Sequence, residues 1–316
     1  MKGKKEIAIL FFIMAVLVFY ITSKKTDNTT YELPDITKIE TGDISRLTIS
    51  KIDSEIVLVK ENNTWLVGSN KYPADPSTID KMLTQISGIS LTALASESKN
   101  YSLYELDNDK KIEVRAFKGD TIIRNISIGK PASSYKHTFV MIDNDHRVFH
   151  AEGNIRTDFS RSIPELRDKK VMAVQDEIIE LVLHAGDTTM TIVKAAAPVS
   201  VEVNETKPDD PPVDQGPKWI TADGRPVKES EIDSIIDRLS DYRCDEFIVE
   251  KTKQDFRTPV YTATFKGTRE YSISFYEKQN EKYPAVTSEN EYPFMVSEWK
   301  AKQIMKELDS LIASEQ

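Results

Sequence analysis

The sequence predicts an α+β protein in which one unit of antiparallel sheet plus helix occurs in two tandem copies behind an N-terminal transmembrane helix. Three observations lead to this prediction. An apolar run with basic flanks stands near the start of the chain, strand-like alternation of apolar and polar residues dominates from residue 44 onward, and the order of predicted elements then repeats. We therefore expect four segments, namely residues 1–25, 26–43, 44–174 and 175–316.

The first segment contains an uninterrupted apolar run, residues 7–21, with lysines on both sides. The run is close to the shortest length that spans a bilayer, about 17 residues. No Ala-x-Ala site follows it, so the run favours an uncleaved signal-anchor over a cleaved signal peptide or a buried core helix. Residues 26–43 are polar and aperiodic, and we expect them to form a tether between the membrane and the folded part.

The first predicted copy, residues 44–174, begins with short strands of period two, and one of these strands contains Trp65. A helix is predicted next, because Asp75 can act as its N-cap and a proline stands at its first position. Its apolar residues recur at i, i+3, i+4 and i+7, and Ile79 and Leu83 belong to this stripe. We expect Trp65, Ile79 and Leu83 to pack in the core, which is a more common place for a tryptophan than a ligand-stacking site.

The second predicted copy, residues 175–316, repeats this order of elements. Trp219 corresponds to the tryptophan of the first copy, and Ile232 and Ile236 lie in an apolar stripe of the same spacing. Prolines and acidic residues replace periodicity over residues 195–217, so this stretch is predicted to be a disordered insertion. The insertion is either a tolerated surface excursion or an arm that binds a partner.

Composition narrows the classes of function. The formal net charge is -9, and no basic stripe interleaved with aromatic residues occurs, so we expect no nucleic-acid partner. Cys244 is the single cysteine, which excludes an intramolecular disulfide and a cysteine-rich zinc site. The chain also lacks the His-Glu-x-x-His, phosphate-loop and Gly-x-Ser-x-Gly motifs. We predict no cofactor.

One hairpin offers reactive side chains close together, and Asp143, Asp145 and His146 are its weak candidates for a metal site. His150 would lie about 13 Å from His146 along a strand, too far to bind the same ion. The alternative is a turn, because Asp and Asn side chains bond to the backbone two residues on. The second copy favours the turn, since its acid-Asn-acid stretch, residues 289–291, lacks both histidines. We therefore predict no metal site and no catalytic residue.

The shared motifs of the two copies are a short strand with a tryptophan, a proline-led helix start (Tyr72 to Asp75) and an Ile-Asp-x-x-[Leu/Ile] helix. They resemble domain-of-unknown-function family 4340. That resemblance implies membrane-anchored bacterial proteins, often encoded beside ABC-2-type transporter components of the gliding-motility kind, with no established activity. The second copy departs from the pattern, because it has Val227 and Lys228 where the first has Ala74 and Asp75.

The expected function is that of a non-catalytic, membrane-anchored extracytoplasmic accessory protein of an ABC-type transport system. It would be single-pass in the bacterial inner membrane, with the large domain outside, the membrane contacted through residues 7–21 and an ABC-type permease as protein partner. Two alternatives stay open. One is a periplasmic ligand-binding module, and the other is an envelope hydrolase that uses scattered acidic residues.

Overall fold

The computed structural model describes residues 12–16, 19, 31–195 and 218–313. Of the described residues, 40% lie in strands and 21% in helices. The strands are β1 (Arg46–Lys51), β2 (Ser54–Glu61), β3 (Thr64–Val67), β4 (Tyr72–Pro73), β5 (Leu91–Ser96), β6 (Ile112–Lys118), β7 (Thr121–Pro131), β8 (His137–Ile142), β9 (Val148–Glu152), β10 (Lys170–Met172), β11 (Glu180–Ala185), β12 (Thr188–Lys194), β13 (Trp219–Thr221), β14 (Tyr242–Arg243), β15 (Glu246–Phe247), β16 (Tyr261–Lys266), β17 (Glu270–Phe275), β18 (Lys282–Thr287) and β19 (Phe294–Ser297).

Among the described residues, helices are fewer than strands. The α-helices are α1 (Pro76–Ser87), α2 (Arg156–Phe159), α3 (Ile163–Leu166), α4 (Glu229–Leu239) and α5 (Glu298–Lys302). Short 3-10 helices cover Thr41–Asp43, Tyr101–Tyr104, Lys253–Asp255 and Leu308–Leu311.

The predicted α+β fold of two tandem sheet-plus-helix copies behind a transmembrane helix is wrong. The chain is mostly β, with large antiparallel sheets. The two apolar stripes do form helices, but α1 and α4 have only 12 and 11 residues, and period-two alternation governs far more of the chain. The compact units are also not consecutive, because one contains residues 1–63 and 77–161 and the other contains residues 64–76 and 162–316.

Two predicted segments lie largely outside the described residues. Of the apolar run 7–21, only residues 12–16 and 19 are described, and they are helical. In the described part of the chain, no helix combines the length and the apolar character needed to cross a membrane. Of the predicted insertion 195–217, only Ala195 is described.

The first unit is built on antiparallel strands in the order β2-β1-β6-β7-β8-β9-β5. Alternation buries every second side chain, as Leu47 and Ile49 of β1 illustrate with 0% and 1% exposure. Helix α1 belongs to this unit from Ser77 onward and buries the predicted stripe, including Ile79 and Leu83. Burial of such side chains stabilises the fold by roughly 1.5–3 kcal/mol each.

A buried carboxylate joins two helices of the first unit. Asp158 of α2 accepts hydrogen bonds from Lys81 and Gln85 of α1, at 3.0 and 2.9 Å, and its side chain is 3% exposed. Burial disfavours the charged form, but hydrogen bonds from Lys81 and Gln85 outweigh it and lower the pKa of Asp158. The Asp158 carboxylate therefore stays charged inside the protein, because Lys81 and Gln85 donate hydrogen bonds to it.

The second unit contains the β3–β4 hairpin, the β10–β14 pair and an eight-stranded antiparallel sheet in the order β13-β12-β11-β16-β17-β18-β19-β15. Trp65 of β3 and Trp219 of β13 are 8% and 5% exposed. Ile232 of α4 is fully buried in the core, and Ile236 is partly buried and packs against it. The structure thus places the two tryptophans among the packing residues of this unit.

Candidate functional site

The carboxylates that the sequence offered as weak metal ligands are held by arginines in the first unit. Asp143 accepts a hydrogen bond from Arg124 at 3.1 Å and another from the backbone N–H of Asn125 at 2.9 Å. Asp145 accepts hydrogen bonds from Nη2 of Arg147 at 2.7 Å and from its Nε at 3.1 Å, and these bonds lower the pKa of Asp145. The two acids therefore fix the turn between β8 and β9.

The histidines of the same region do not complete a metal site. His146 is close to Asp145 in sequence, and its backbone oxygen accepts a hydrogen bond from the Tyr101 hydroxyl at 3.2 Å. His137 and His150 lie on the neighbouring strands β8 and β9, with ring centres 5.8 Å apart. Within the described ranges, no three His, Cys, Asp or Glu side chains are grouped so that they could hold a metal ion.

A different site lies in the second unit, in a cavity of about 340 Å³. We call it the Arg167 cavity. Its lining combines apolar rings, acids and two cations: Pro73, Arg167, Asp168, Lys170, Phe247, Glu289, Asn290, Glu291 and Tyr292. The volume is at the small end of ligand sites in proteins, which are roughly 300–1,000 Å³.

Local structure fixes the backbone of Arg167. Helix α3 begins after Ser162, whose backbone N–H donates to the Glu165 carboxylate at 2.7 Å, and the helix ends at Leu166. Arg167 is extended, with φ -69° and ψ 142°, and forms an antiparallel bridge with Ala74. The chain is therefore held between a capped helix and a bridge, so Arg167 enters the cavity at a defined position.

Three aromatic rings surround the guanidinium of Arg167. Its Cζ lies 3.6 Å from the centre of the Tyr72 ring, 3.7 Å from that of Phe247 and 5.0 Å from that of Tyr292. The Tyr72 and Tyr292 rings also meet edge to face, with centres 5.3 Å apart. A cation over an aromatic face is attracted by the ring quadrupole, by about 2 kcal/mol or more where water is excluded.

Arg167 is 5% exposed, and in the described part of the chain its guanidinium has no hydrogen bond and no ion pair with a carboxylate. Burial lowers the pKa of this guanidinium, while Tyr72 and Tyr292 act in the opposite direction. Arginine remains charged at all ordinary pH values. The cavity therefore contains a buried positive charge whose N–H groups lack an anionic partner among these residues.

The other charged groups of the cavity are mostly engaged. Asp168 accepts a hydrogen bond from Arg243 at 3.0 Å, and the same arginine bonds to Asp75 at 2.8 Å. Lys170 forms an ion pair with Asp241 at 2.9 Å. The Glu289 carboxylate pairs with Arg269, also at 2.9 Å, and the remaining acid, Glu291, is exposed.

A second cavity of the same unit, about 400 Å³, lies beside α4 and α5. Two of its cations already have partners, since Arg243 holds Asp75 and Asp168, and Lys300 pairs with Asp245 at 2.5 Å. The third cation, Arg238, is exposed to solvent. The Trp299 ring at its edge is 66% exposed. We regard the Arg167 cavity as the better candidate, because its buried cation has no such carboxylate.

Sequence reasoning missed the site, although it noted some of its parts. Tyr72 stands in the motif before the first helix, and the turn at residues 289–291 ends one residue before Tyr292. Arg167 follows a short helix in a stretch without periodicity, so no spacing marks it. Only the fold brings it beside Phe247 and the two tyrosines.

Together these features define a mostly β protein with two compact units, one of which contains a small aromatic and charged cavity around a buried arginine. Residues 65–259 match the model of the family described as "Domain of unknown function (DUF4340)", and the chain belongs to this family. No curated protein matches the chain. No solved structure matches it either.

Proposed function

We propose that this protein is a non-catalytic binding protein of the bacterial envelope, and that the Arg167 cavity is its ligand-binding site. The observation that carries the proposal is the buried guanidinium, which has aromatic contacts but no carboxylate partner within the described ranges. Removing a charged group from water costs free energy that ring contacts offset only in part. Side chains kept in such a state are typical of binding sites.

Binding is better supported than hydrolysis by the surrounding chemistry. Asp143 and Asp145, the acids that would be catalytic in an envelope hydrolase, form ion pairs with Arg124 and Arg147. An aromatic cavity with a few polar groups is the usual composition of a ligand site. Of the alternatives that the sequence left open, the ligand-binding module therefore has a specific geometry in its favour.

The proposed place of action is the bacterial inner membrane, with the two units on the extracytoplasmic side. The apolar run 7–21 with lysines on both sides supports membrane anchoring. Membership of the DUF4340 family, together with the neighbourhood that its resemblance implied, supports a role as accessory protein to an ABC-type transport system. In that role the protein would present a bound ligand, or a surface, to a permease.

Thermal-shift screening of the full chain in detergent tests the binding function. A small-molecule library should contain compounds that raise the melting temperature of the wild type and have little effect on Arg167→Lys. The matched control is Arg225→Lys, which makes the same replacement at an exposed arginine that pairs with Asp223 outside the cavity. A library without a stabilising compound, or with compounds that stabilise all three proteins equally, would contradict the proposal.

Co-purification tests the transport association separately. A tagged full-length chain, expressed at its native level, should recover an ABC-type permease from detergent-solubilised membranes. Recovery of the protein alone in repeated experiments would contradict the association with a transport system. It would not affect the binding function, which the thermal-shift screen measures.

A further inference from the structure

We propose that the Arg167 cavity is a carboxylate site, with Arg167 as the anchor for a small monocarboxylate ligand. This inference rests on the proposed binding function and adds the chemical class of the ligand. It is carried by the arrangement of rings and charges around one side chain of the second unit.

The rings leave the hydrogen-bonding capacity of Arg167 free. Its Cζ lies over the faces of Tyr72 and Phe247, at 3.6 and 3.7 Å from their centres, and ring faces offer no oxygen acceptor. The five N–H groups of a guanidinium lie in its plane and form a fork that fits the two oxygens of a carboxylate. Ring contacts and a bound carboxylate would therefore use different parts of the same group.

The acids of the cavity favour a ligand with a single negative charge. Asp168, Glu289 and Glu291 line it together with Arg167 and Lys170. Glu291 has no ion pair in the part of the chain that the structure describes, although its charge acts on Lys253. Each added negative charge on a ligand increases repulsion from these acids, so a phosphate dianion is disfavoured relative to a monocarboxylate.

The remainder of the ligand would contact apolar surface. Pro73, Phe247 and Tyr292 line the same cavity and offer ring faces and edges. A volume of about 340 Å³ suits a small molecule or the last residue of a peptide. A small carboxylic acid and a peptide C-terminus share this chemistry, because each has one carboxylate attached to a small group of atoms.

Isothermal titration calorimetry on the full chain in detergent tests the inference with four probes. Sodium benzoate supplies a carboxylate on a ring, and benzamide is its uncharged counterpart. Glycylglycine supplies the carboxylate of a peptide terminus, and inorganic phosphate supplies a dianion. We expect benzoate or glycylglycine to bind, with the stronger of the two identifying the source, and we expect benzamide and phosphate to bind more weakly.

Variants distinguish an anchoring role from a structural one. Arg167→Lys keeps the charge but loses the planar fork, and should weaken carboxylate binding about ten- to a hundredfold. Arg225→Lys, the matched control, makes the same replacement at an exposed ion pair with Asp223 outside the cavity, and should change carboxylate binding less than about threefold. Glu291→Gln should strengthen phosphate binding, a gain that a merely misfolded protein would not give.

The inference is overturned if neither carboxylate binds the wild type, if benzamide binds as tightly as benzoate, or if Arg167→Lys binds carboxylates as the wild type does. Failure of the inference differs from failure of the proposed function. If the thermal-shift screen yields ligands that need Arg167 and none is a carboxylate, the binding function stands and this inference is wrong.

Discussion

The guanidinium of Arg167 lies 3.6 Å from the centre of the Tyr72 ring. Both residues belong to the second compact unit, although residues 77–161, which lie between them in sequence, belong to the first. The contact is possible because residues 72–75 and 166–168 run antiparallel, with the Asp168 N–H donating to the Pro73 oxygen at 2.8 Å. A hairpin segment thus supports the arginine on which the proposed function depends.

Replacement of Tyr72 tests the energy of this contact. Tyr72→Leu should lower the free energy of unfolding by roughly 2–4 kcal/mol, because it removes a buried ring and its cation–π contact. Tyr72→Phe, the matched control, keeps the ring and loses only the hydroxyl that Asn70 contacts at 2.8 Å, so it should cost less than half as much. Urea unfolding measures both, and equal losses would contradict the cation–π account.

Asp158 should contribute to stability in a pH-dependent way. Hydrogen bonds from Lys81 and Gln85 hold the pKa of Asp158 below its unfolded value of about 3.9. A carboxylate with a lowered pKa stabilises the fold above its unfolded pKa, and this contribution disappears as the pH falls through the folded pKa.

Asp158→Asn should therefore destabilise the protein at pH 7, by roughly 1–3 kcal/mol. The difference from the wild type should shrink at acidic pH, below about 3.9. Unfolding measured from pH 7 to pH 3 checks this expectation. A difference that does not change with pH would mean that the loss comes from packing and not from the charge.

Gly129 should be intolerant of a side chain for a steric reason. A Cβ at this position would lie 2.2 Å from the backbone oxygen of Tyr104 and 2.9 Å from the Leu106 side chain. Gly129→Ala should therefore destabilise the first unit by about 2 kcal/mol or more. Gly42→Ala is the control, because nothing lies within 4 Å of a Cβ there, and circular dichroism during heating should show a shift only for the first variant.

Cys244 should report on the unfolding of the second unit. The thiol is buried at 2% exposure, and burial raises the pKa of Cys244 to about 12. The thiolate is the reactive form, so iodoacetamide at pH 8 should label the native protein very slowly and the urea-unfolded protein readily. Mass spectrometry quantifies the labelling. Rapid labelling of the native protein would contradict the burial.

The raised pKa of Cys244 also has a consequence for stability. The unfolded thiol ionises near pH 8.5, whereas the folded thiol keeps its proton, so the unfolded state gains relative stability as the pH rises above that value. Cys244→Ser, which does not ionise in this range, should lack this contribution. Unfolding at pH 7 and pH 10 compares the two proteins.

The sequence predicted the local elements better than it predicted the fold. The apolar stripes of Ile79 with Leu83 and of Ile232 with Ile236 correspond to α1 and α4, because helical spacing is written directly in the residues. The prediction gave those helices too much weight, since strands contain about twice as many of the described residues as helices do. Residues 64–76 belong to the same compact unit as residues 162–316. Packing between segments so far apart leaves no periodic pattern in the sequence.

The candidate site was beyond sequence reasoning for the same reason. Arg167, Phe247 and Tyr292 come from three separate segments, and each looks ordinary in its own surroundings. The conspicuous acids Asp143 and Asp145, in contrast, stand in one hairpin, and arginines hold them there. The sequence therefore indicated a hairpin turn, in which the acids are neighbours along the chain. The residues of the cavity become neighbours only when the chain folds.

A crystal structure of the full chain grown with sodium benzoate would show both the arginine and its ligand. We expect a carboxylate group within about 3 Å of the Arg167 guanidinium nitrogens, with the Tyr72 and Phe247 rings still over the guanidinium. A guanidinium that forms an ion pair with a carboxylate of the protein itself, and a cavity without benzoate, would contradict it.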